Sequence, residues 1–411
     1  MNKTRVRTAG LDTLRASAIA LVVLYHYLCF VSDKPSFGWL SEIGWTGVDL
    51  FFVLSGYLIA NPLFKGVGDG RTLSVGCFYA RRAFRTLPVY WLVLAAFWLF
   101  PAELGGKTPP PLWRFLTFTQ NIGLQPGTAF SHAWSLCVEE QFYFLLPLIL
   151  AFAVSLAARR PTLKLKLSRR HGWALLAALT LLGIVARAAM WSIHGRKADG
   201  QVDGYMSAIY YSSLCRFDEF IPGIAVAMLR NFHRDAWRAV MARGNAVLVG
   251  GIVASAAMLV VADHNWISSY GYPFFMTTFG YSLLALSFSL LVVAALSPAT
   301  VLHRLRIPGV DKLALWSYSV YLSHRPVANV ISHWMAPRGF SDVGMFALIA
   351  TACLLVGGLL YTLVEQPFMR WRDRLVPSNF VTRASDSEPV SEPVSGLESC
   401  MQDLTLQDSR P

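Results

Sequence analysis

The chain has 411 residues, of which 55% are apolar and only 15% charged, and its net charge at pH 7 is +12. Apolar runs long enough to cross a bilayer recur from end to end, which excludes a soluble globular protein and leaves no separate soluble domain. In a membrane protein a basic excess collects in cytoplasmic loops, so the charge speaks of topology and not of nucleic acid.

Hydropathy marks spans at about 12–31, 44–63, 86–103, 132–157, 171–194, 213–230, 245–262, 271–297, 313–336 and 343–366. The expected fold is all-α, a polytopic membrane helical bundle of about ten transmembrane helices. Of the 36 Lys and Arg, 27 fall on the side that carries both termini and 6 on the other. That bias places both termini in the cytoplasm and the bundle in the inner (plasma) membrane, with lipid as its surroundings. The first apolar run continues to about Phe30 with no A-x-A-type site, so no cleavable signal peptide is expected. The six cysteines are scattered, and their spacing predicts neither a disulfide framework nor a metal site.

The first span holds Arg15 and His26, eleven residues apart. On a helix His26 then lies about 16 Å deeper than Arg15, so one marks a membrane surface and the other the bilayer interior. An ionisable group at that depth faces a polar cavity or a partner, and a helix–helix hydrogen bond is the plainer alternative. The second span carries Asp49 near its outer end and Ser55 near its middle, with Gly44, Gly47 and Gly56 permitting close approach of a neighbour. Before the third span, Arg81, Arg82 and Arg85 form a fork of guanidinium groups. Such a fork suits the phosphates of a nucleotide-containing ligand, and equally a positive-inside anchor on lipid headgroups.

The loop 104–131 includes PPPLWRFLTFTQN, too short to cross and expected as an interfacial or re-entrant piece. In the fourth span Ser135, Glu139 and Tyr143 recur every four residues and make one polar stripe, with Glu140 beside it. Arg187, Arg216 and Arg325 fall inside spans. The ninth span holds His324 and Arg325 just before Pro326, where a kink is expected. After Pro377 the sequence turns to SDSEPVSEPVSG and stays polar. Residues 1–376 therefore read as the membrane-embedded domain and 377–411 as a disordered cytoplasmic tail. No longer internal repeat is visible, so the inverted-repeat pattern of many transporters is missing.

The motifs together resemble the acyltransferase 3 family of integral-membrane acyltransferases. The R-x10-H element falls on Arg15 and His26. GVDLFFVLSGYLI at 47–59, RRAFR at 81–85, WSLCVEEQFY at 134–143, RFDEF at 216–220 and SYSVYLSH at 317–324 follow in the family's order. Ser323 stands where the family's LWH motif has Trp. The resemblance implies transfer of an acyl group, usually acetyl from acetyl-CoA, to a hydroxyl of a carbohydrate or other small molecule. It carries catalytic roles to His26 and to Glu139 of the SL-x-VE element, and donor binding to Arg82 and Arg85 of the R-x-x-R element.

The expected mechanism follows. Arg82 and Arg85, with Arg15 and Arg81, hold the phosphates of acyl-CoA as co-substrate, and no cofactor is tightly bound. His26 is the base, Glu139 orients its imidazole, and Ser55 or Tyr143 donates to the oxyanion. Asp49, Arg216 and His324 face the acceptor, a glycan or other small molecule. A covalent acyl-His26 intermediate stays open, as does a different class: a proton-coupled transporter or flippase using His26, Glu139 and His324 as a relay.

Overall fold

The computed structural model describes residues 8–106, 109–159, 169–194, 204–265 and 271–381. Its frame is a set of long helices: α1 (Ala9–Tyr27), α2 (Thr46–Gly68), α3 (Val75–Leu99), α4 (Trp134–Arg159) and α5 (Arg169–His194). The second half adds α6 (Ile221–Phe232), α7 (Gly244–Asn265), α8 (Tyr281–Leu296), α9 (Val310–Met335), α10 (Asp342–Leu360) and α11 (Gln366–Leu375). A two-residue antiparallel pair joins β1 (Thr72–Leu73) to β2 (Phe380–Val381).

Every expected span coincides with helix, but among the described residues seven helical stretches are long and apolar enough to cross a membrane. The other three fail for two reasons. The helices α3 and α9 carry the arginines, histidine and serines that the interior needs, and the stretch 213–232 is broken into a short helix, a 3-10 turn and α6. The seventh crossing stretch runs on from α10 through a π-turn at Tyr361–Glu365 into α11, well past the expected end at 366.

The middle of the bundle is α2. Its apolar window is 78% buried, against 17% for α7, whose outer face is apolar and exposed as lipid contact requires. Small residues set the approach distances. A Cβ on Gly56 would strike the carbonyl of Phe220, and one on Gly223 the carbonyl of Val53, so α2 and α6 meet backbone to backbone. In the same way Gly47 lets α2 reach Ala18 of α1, and Gly357 lets α10 reach Val320 of α9. Helix starts are capped where the chain turns sharply: Ser74 Oγ accepts from the Cys77 amide and Ser341 Oγ from the Gly344 amide.

The loop 104–131 forms one short helix, Leu112–Leu116, and then turns inward. Gln120 Nε2 donates to Tyr90 Oη at 3.1 Å, and Asn121 Nδ2 donates to the carbonyl of Tyr211 at 2.8 Å. Both amides are buried, so the loop is a plug between helices as well as an interfacial piece.

Helix α9 runs through Pro326 without a break. Proline withholds the N–H that would bond the carbonyl of Leu322, one turn back. His132 Nε2 donates to that carbonyl at 3.0 Å instead.

Candidate active site

Six helices, α1, α2, α3, α4, α9 and α11, line one cavity of about 620 Å³, and chain direction orders its lining by depth. At the basic end lie Thr8, Pro62, Phe78, Arg81, Asp373 and Asn379. The next layer holds Arg15, Arg82, Arg85, Glu140 and Tyr318. Deepest are Ser55, Glu139, Ser135 and Tyr321, and Tyr143, about a turn below Glu139 on α4, links them to the arginine layer. The structure therefore brings nine of the residues singled out in the sequence, Arg15, Ser55, Arg81, Arg82, Arg85, Ser135, Glu139, Glu140 and Tyr143, to one site.

The four arginines are not equivalent. Arg15 and Arg85 make no hydrogen bond or ion pair among the described residues, and they are close enough to repel each other. Arg82 stacks its guanidinium 3.8 Å over the Tyr143 ring and reaches Glu140 Oε1 at 3.4 Å, while its Nε is buried without a partner. Glu365 faces both Arg15 and Arg85 without bonding either, so two guanidiniums with open hydrogen-bonding capacity and an under-bonded third make an anion site. Arg81 differs: it pairs with Asp373 at 2.8 Å and donates to the carbonyl of Val376 at 2.8 Å.

In the deep layer the Tyr143 hydroxyl bridges Glu139 Oε2 and Ser55 Oγ, each at 2.8 Å. The stripe expected on α4 therefore exists, and Glu139 belongs to it. Above the stripe, Ser135 Oγ donates to Tyr321 Oη at 2.6 Å, and Tyr321 Oη donates to the carbonyl of His132 at 2.5 Å.

His26 lies beyond this layer and outside the cavity lining. The role expected of Glu139, to orient the imidazole, falls to another group. His26 Nδ1 meets His324 Nε2 at 2.9 Å, and Glu139 sits about two helix turns lower, past Ser135 and Tyr321. The carbonyls assign the tautomers. His324 Nδ1 faces the Tyr321 carbonyl at 2.6 Å and must carry hydrogen there, which leaves His324 Nε2 an acceptor. His26 Nδ1, 3.0 Å from the Val22 carbonyl, then donates to both, and His26 Nε2 keeps its lone pair. His26 is half-buried, with Phe30 stacked on its ring at 5.3 Å, while His324 is fully enclosed.

His132, which sequence reasoning passed over, completes this layer with its ring 5.3 Å from that of His324. Its signal was the HAW triplet abutting the fourth span, but its role depends on a carbonyl freed by Pro326 elsewhere in the chain. Arg325 closes the layer from the outer loop, donating to Ser131 Oγ at 2.7 Å and to the carbonyl of Gly105 at 2.8 Å. Among the described residues no group of three or more His, Cys, Asp or Glu is placed to hold a metal ion.

Asp49 and Arg216, expected to face the acceptor, are sealed away from any opening. Arg216 donates to Asp49 Oδ1 at 2.9 Å, to the Glu219 carboxylate through Nε, and to the carbonyl of Tyr210 at 3.2 Å. Its guanidinium also lies 4.2 Å from the Tyr281 ring centroid. A second closed network joins Arg187 to Asp218 at 2.5 Å and Asp218 to Ser282 at 2.6 Å. Both networks are fully buried and tie α2 and α5 to the 213–220 turn and α8.

An all-α, multi-pass membrane bundle with an arginine-lined cavity below a histidine pair is the framework of a membrane-embedded transferase. The acyltransferase 3 family model, described as an acyltransferase domain, matches residues 8–363, and the chain belongs to that family. It is 27% identical to "Putative peptidoglycan O-acetyltransferase YrhL" of Bacillus subtilis, over 87% of this chain and 54% of that one. It is 23% identical to O-acetyltransferase OatA of Staphylococcus aureus, over 88% of this chain and 57% of that one. The chain thus spans little more than half the length of these curated relatives. No solved structure matches it.

Proposed function

We propose that the protein is a membrane O-acetyltransferase. It takes acetyl from acetyl-CoA at the cytoplasmic face and passes it to a hydroxyl of a cell-envelope glycan, the class of acceptor named for the peptidoglycan O-acetyltransferase relative. The observation that carries the reading is a cavity holding two guanidiniums that make no hydrogen bond or ion pair among the described residues, with a third beside them, below a histidine whose Nε2 has no partner among those residues. On this reading the basic mouth is cytoplasmic, as the charge bias requires.

Arg15, Arg82 and Arg85 take the donor phosphates. The thin thioester arm runs up past Glu139, Ser55 and Tyr143 toward Ser135 and Tyr321. His26 Nε2 takes the proton of the acceptor hydroxyl as its oxygen attacks the thioester carbonyl. Ser55 and Tyr143 face the arm from below, and the Ser55 hydroxyl, which accepts from Tyr143 and keeps its own hydrogen, is the donor toward the developing oxyanion. The tetrahedral intermediate breaks its C–S bond, and the proton passes from His26 to the leaving thiolate. His324 Nε2 accepts from His26 Nδ1–H throughout. It holds the ring and spreads the imidazolium charge, the part a carboxylate has in a serine protease.

The test is acetyl-CoA bearing a labelled acetyl group, given to purified protein with peptidoglycan oligomers. The expected result is CoA release that depends on His26 and label on the glycan. A protein that neither binds CoA nor releases its thiol would be a carrier of the transporter kind. Label held on wild-type protein without acceptor, and absent from His26→Ala, would identify an acyl-His26 step.

A further inference from the structure

Past α11 the chain does not leave the protein. Val376 is buried, and Arg81 holds its carbonyl. Asn379 accepts the Ser74 amide on its backbone carbonyl at 2.9 Å, Leu73 pairs with Phe380, and the Phe380 ring covers Gly66 so closely that a Cβ there would strike it. Residues 376–381 are thus a strap across the basic mouth, latched by Arg81 and Asp373. Asn379 lines the cavity from this strap, and its side-chain Oδ1 is buried without a hydrogen-bond partner among the described residues. An unbonded amide oxygen inside a polar cavity is costly unless a ligand completes it.

The depth order says which part of a donor arrives there. Phe78 lies two turns before Arg85 on α3, about 10 Å nearer the mouth. A donor whose phosphates rest on Arg15, Arg82 and Arg85, and whose thioester points toward His26, leaves its nucleoside at the mouth. There the walls are Phe78 and Pro62, apolar and flat, with Asn379 at the edge. Arg81 and Arg372 share the one carboxylate of Asp373 there, so this end keeps a positive charge for the ribose 3′-phosphate that accompanies the adenine of CoA.

We infer that Asn379 reads the adenine of the donor. Its Oδ1 accepts from the exocyclic amine and its Nδ2 donates to N7, the bidentate pairing asparagine makes with an adenine edge. The inference rests on the acyl-CoA reading of the cavity and adds a base-selective contact to it.

Titration calorimetry on the full chain in detergent separates the two. The probes are CoA, deamino-CoA with hypoxanthine for adenine, and 4′-phosphopantetheine, which lacks the nucleoside. Wild-type protein is expected to bind CoA about tenfold more tightly than deamino-CoA. Asn379→Ala is expected to bind both equally weakly and to keep its affinity for 4′-phosphopantetheine. Equal wild-type affinity for CoA and deamino-CoA overturns the base contact and leaves the acyltransferase reading standing. So does an Asn379→Ala variant that weakens 4′-phosphopantetheine to the same degree, since the strap would then only hold the cavity together. No wild-type binding of CoA at all overturns the donor reading and this inference with it. If Asn379→Ala does not fold, the wild-type comparison decides alone.

Discussion

Arg216 and Arg85 are both guanidiniums inside a membrane bundle, yet their surroundings are opposites. Every nitrogen of Arg216 has a partner, two carboxylates and a carbonyl close around it, and no opening reaches it. Arg85 lines a cavity and has neither hydrogen bond nor ion pair among the described residues. Burial and charge alone mark both as expensive and therefore purposeful. The guanidinium's own bonds separate the purposes, although Asp49 Oδ2 is left without a partner among the described residues: an arginine whose nitrogens are all bonded fixes helices, and one left unbonded in a cavity waits for an anion.

The largest expected effect lies on the saturated side. Arg216→Ala leaves Asp49 and Glu219 buried without their cation, a loss of about 3–5 kcal/mol. The variant should fail to accumulate or should melt far below wild type in detergent. Normal melting with selective loss of acceptor use would return Arg216 to the substrate site and break the comparison.

On the open side, removal should spare the fold. His26→Ala is expected to lose transfer by about 10²-fold or more with its melting temperature unchanged. His324→Phe keeps the ring volume but removes the acceptor for His26 Nδ1–H, so kcat should drop by about tenfold with the donor KM unaltered. If His324→Phe behaves as wild type while Glu139→Gln loses the pH dependence of transfer, the carboxylate orients His26 after all.

Arg85→Ala should raise the donor KM by about tenfold and leave kcat close to wild type, and Arg85→Lys should recover only part of the loss. Glu140 now matters as well. It lies beside the polar stripe and is the carboxylate that holds Arg82. Glu140→Gln is expected to shift the donor KM a few-fold, and Glu139→Gln to act on kcat. An Arg85→Ala enzyme with unchanged donor affinity would make the cluster a topology anchor and nothing more.

How far the sequence reaches can be judged from these same residues. The helices were legible, because apolar runs report on lipid contact directly. Ser55 and Glu139 were legible together, because span direction gives them similar depths on α2 and α4, and the Tyr143 hydroxyl joins them; His26, which the same depth reckoning puts beside them, lies outside the cavity lining. Pairing across the bundle was not legible. The partner of His26 lies 298 residues away, and depth alone could not choose between Glu139 and His324. Nor could it say that Asp49 and Arg216 would close on each other. His132 was invisible because its task is set by a proline on another helix. The strap was misplaced because its few residues are followed at once by polar, repetitive sequence, and composition averages over a window wider than the strap.

The smallest expected effects lie at that boundary. A stop after Val381 removes only residues 382–411, which lie outside the described residues and hold little aromatic or branched apolar content. Nothing in their composition can build a core or a donor contact, so insertion, melting and transfer should stay within about twofold of wild type. A stop after Arg374 looks similar in sequence and removes only seven further residues. It deletes the carbonyl that anchors Arg81, the ring that covers Gly66, the partner strand of Thr72–Leu73, and Asn379 at the cavity edge. Latch and wall are lost together, so donor affinity should fall by about tenfold while the helices, which owe nothing to the strap, still insert. Two stops seven residues apart with different donor KM values would place the end of the working domain at the strap. Matching values would move that end back to α11 and leave Arg81 and Asp373 as a surface pair.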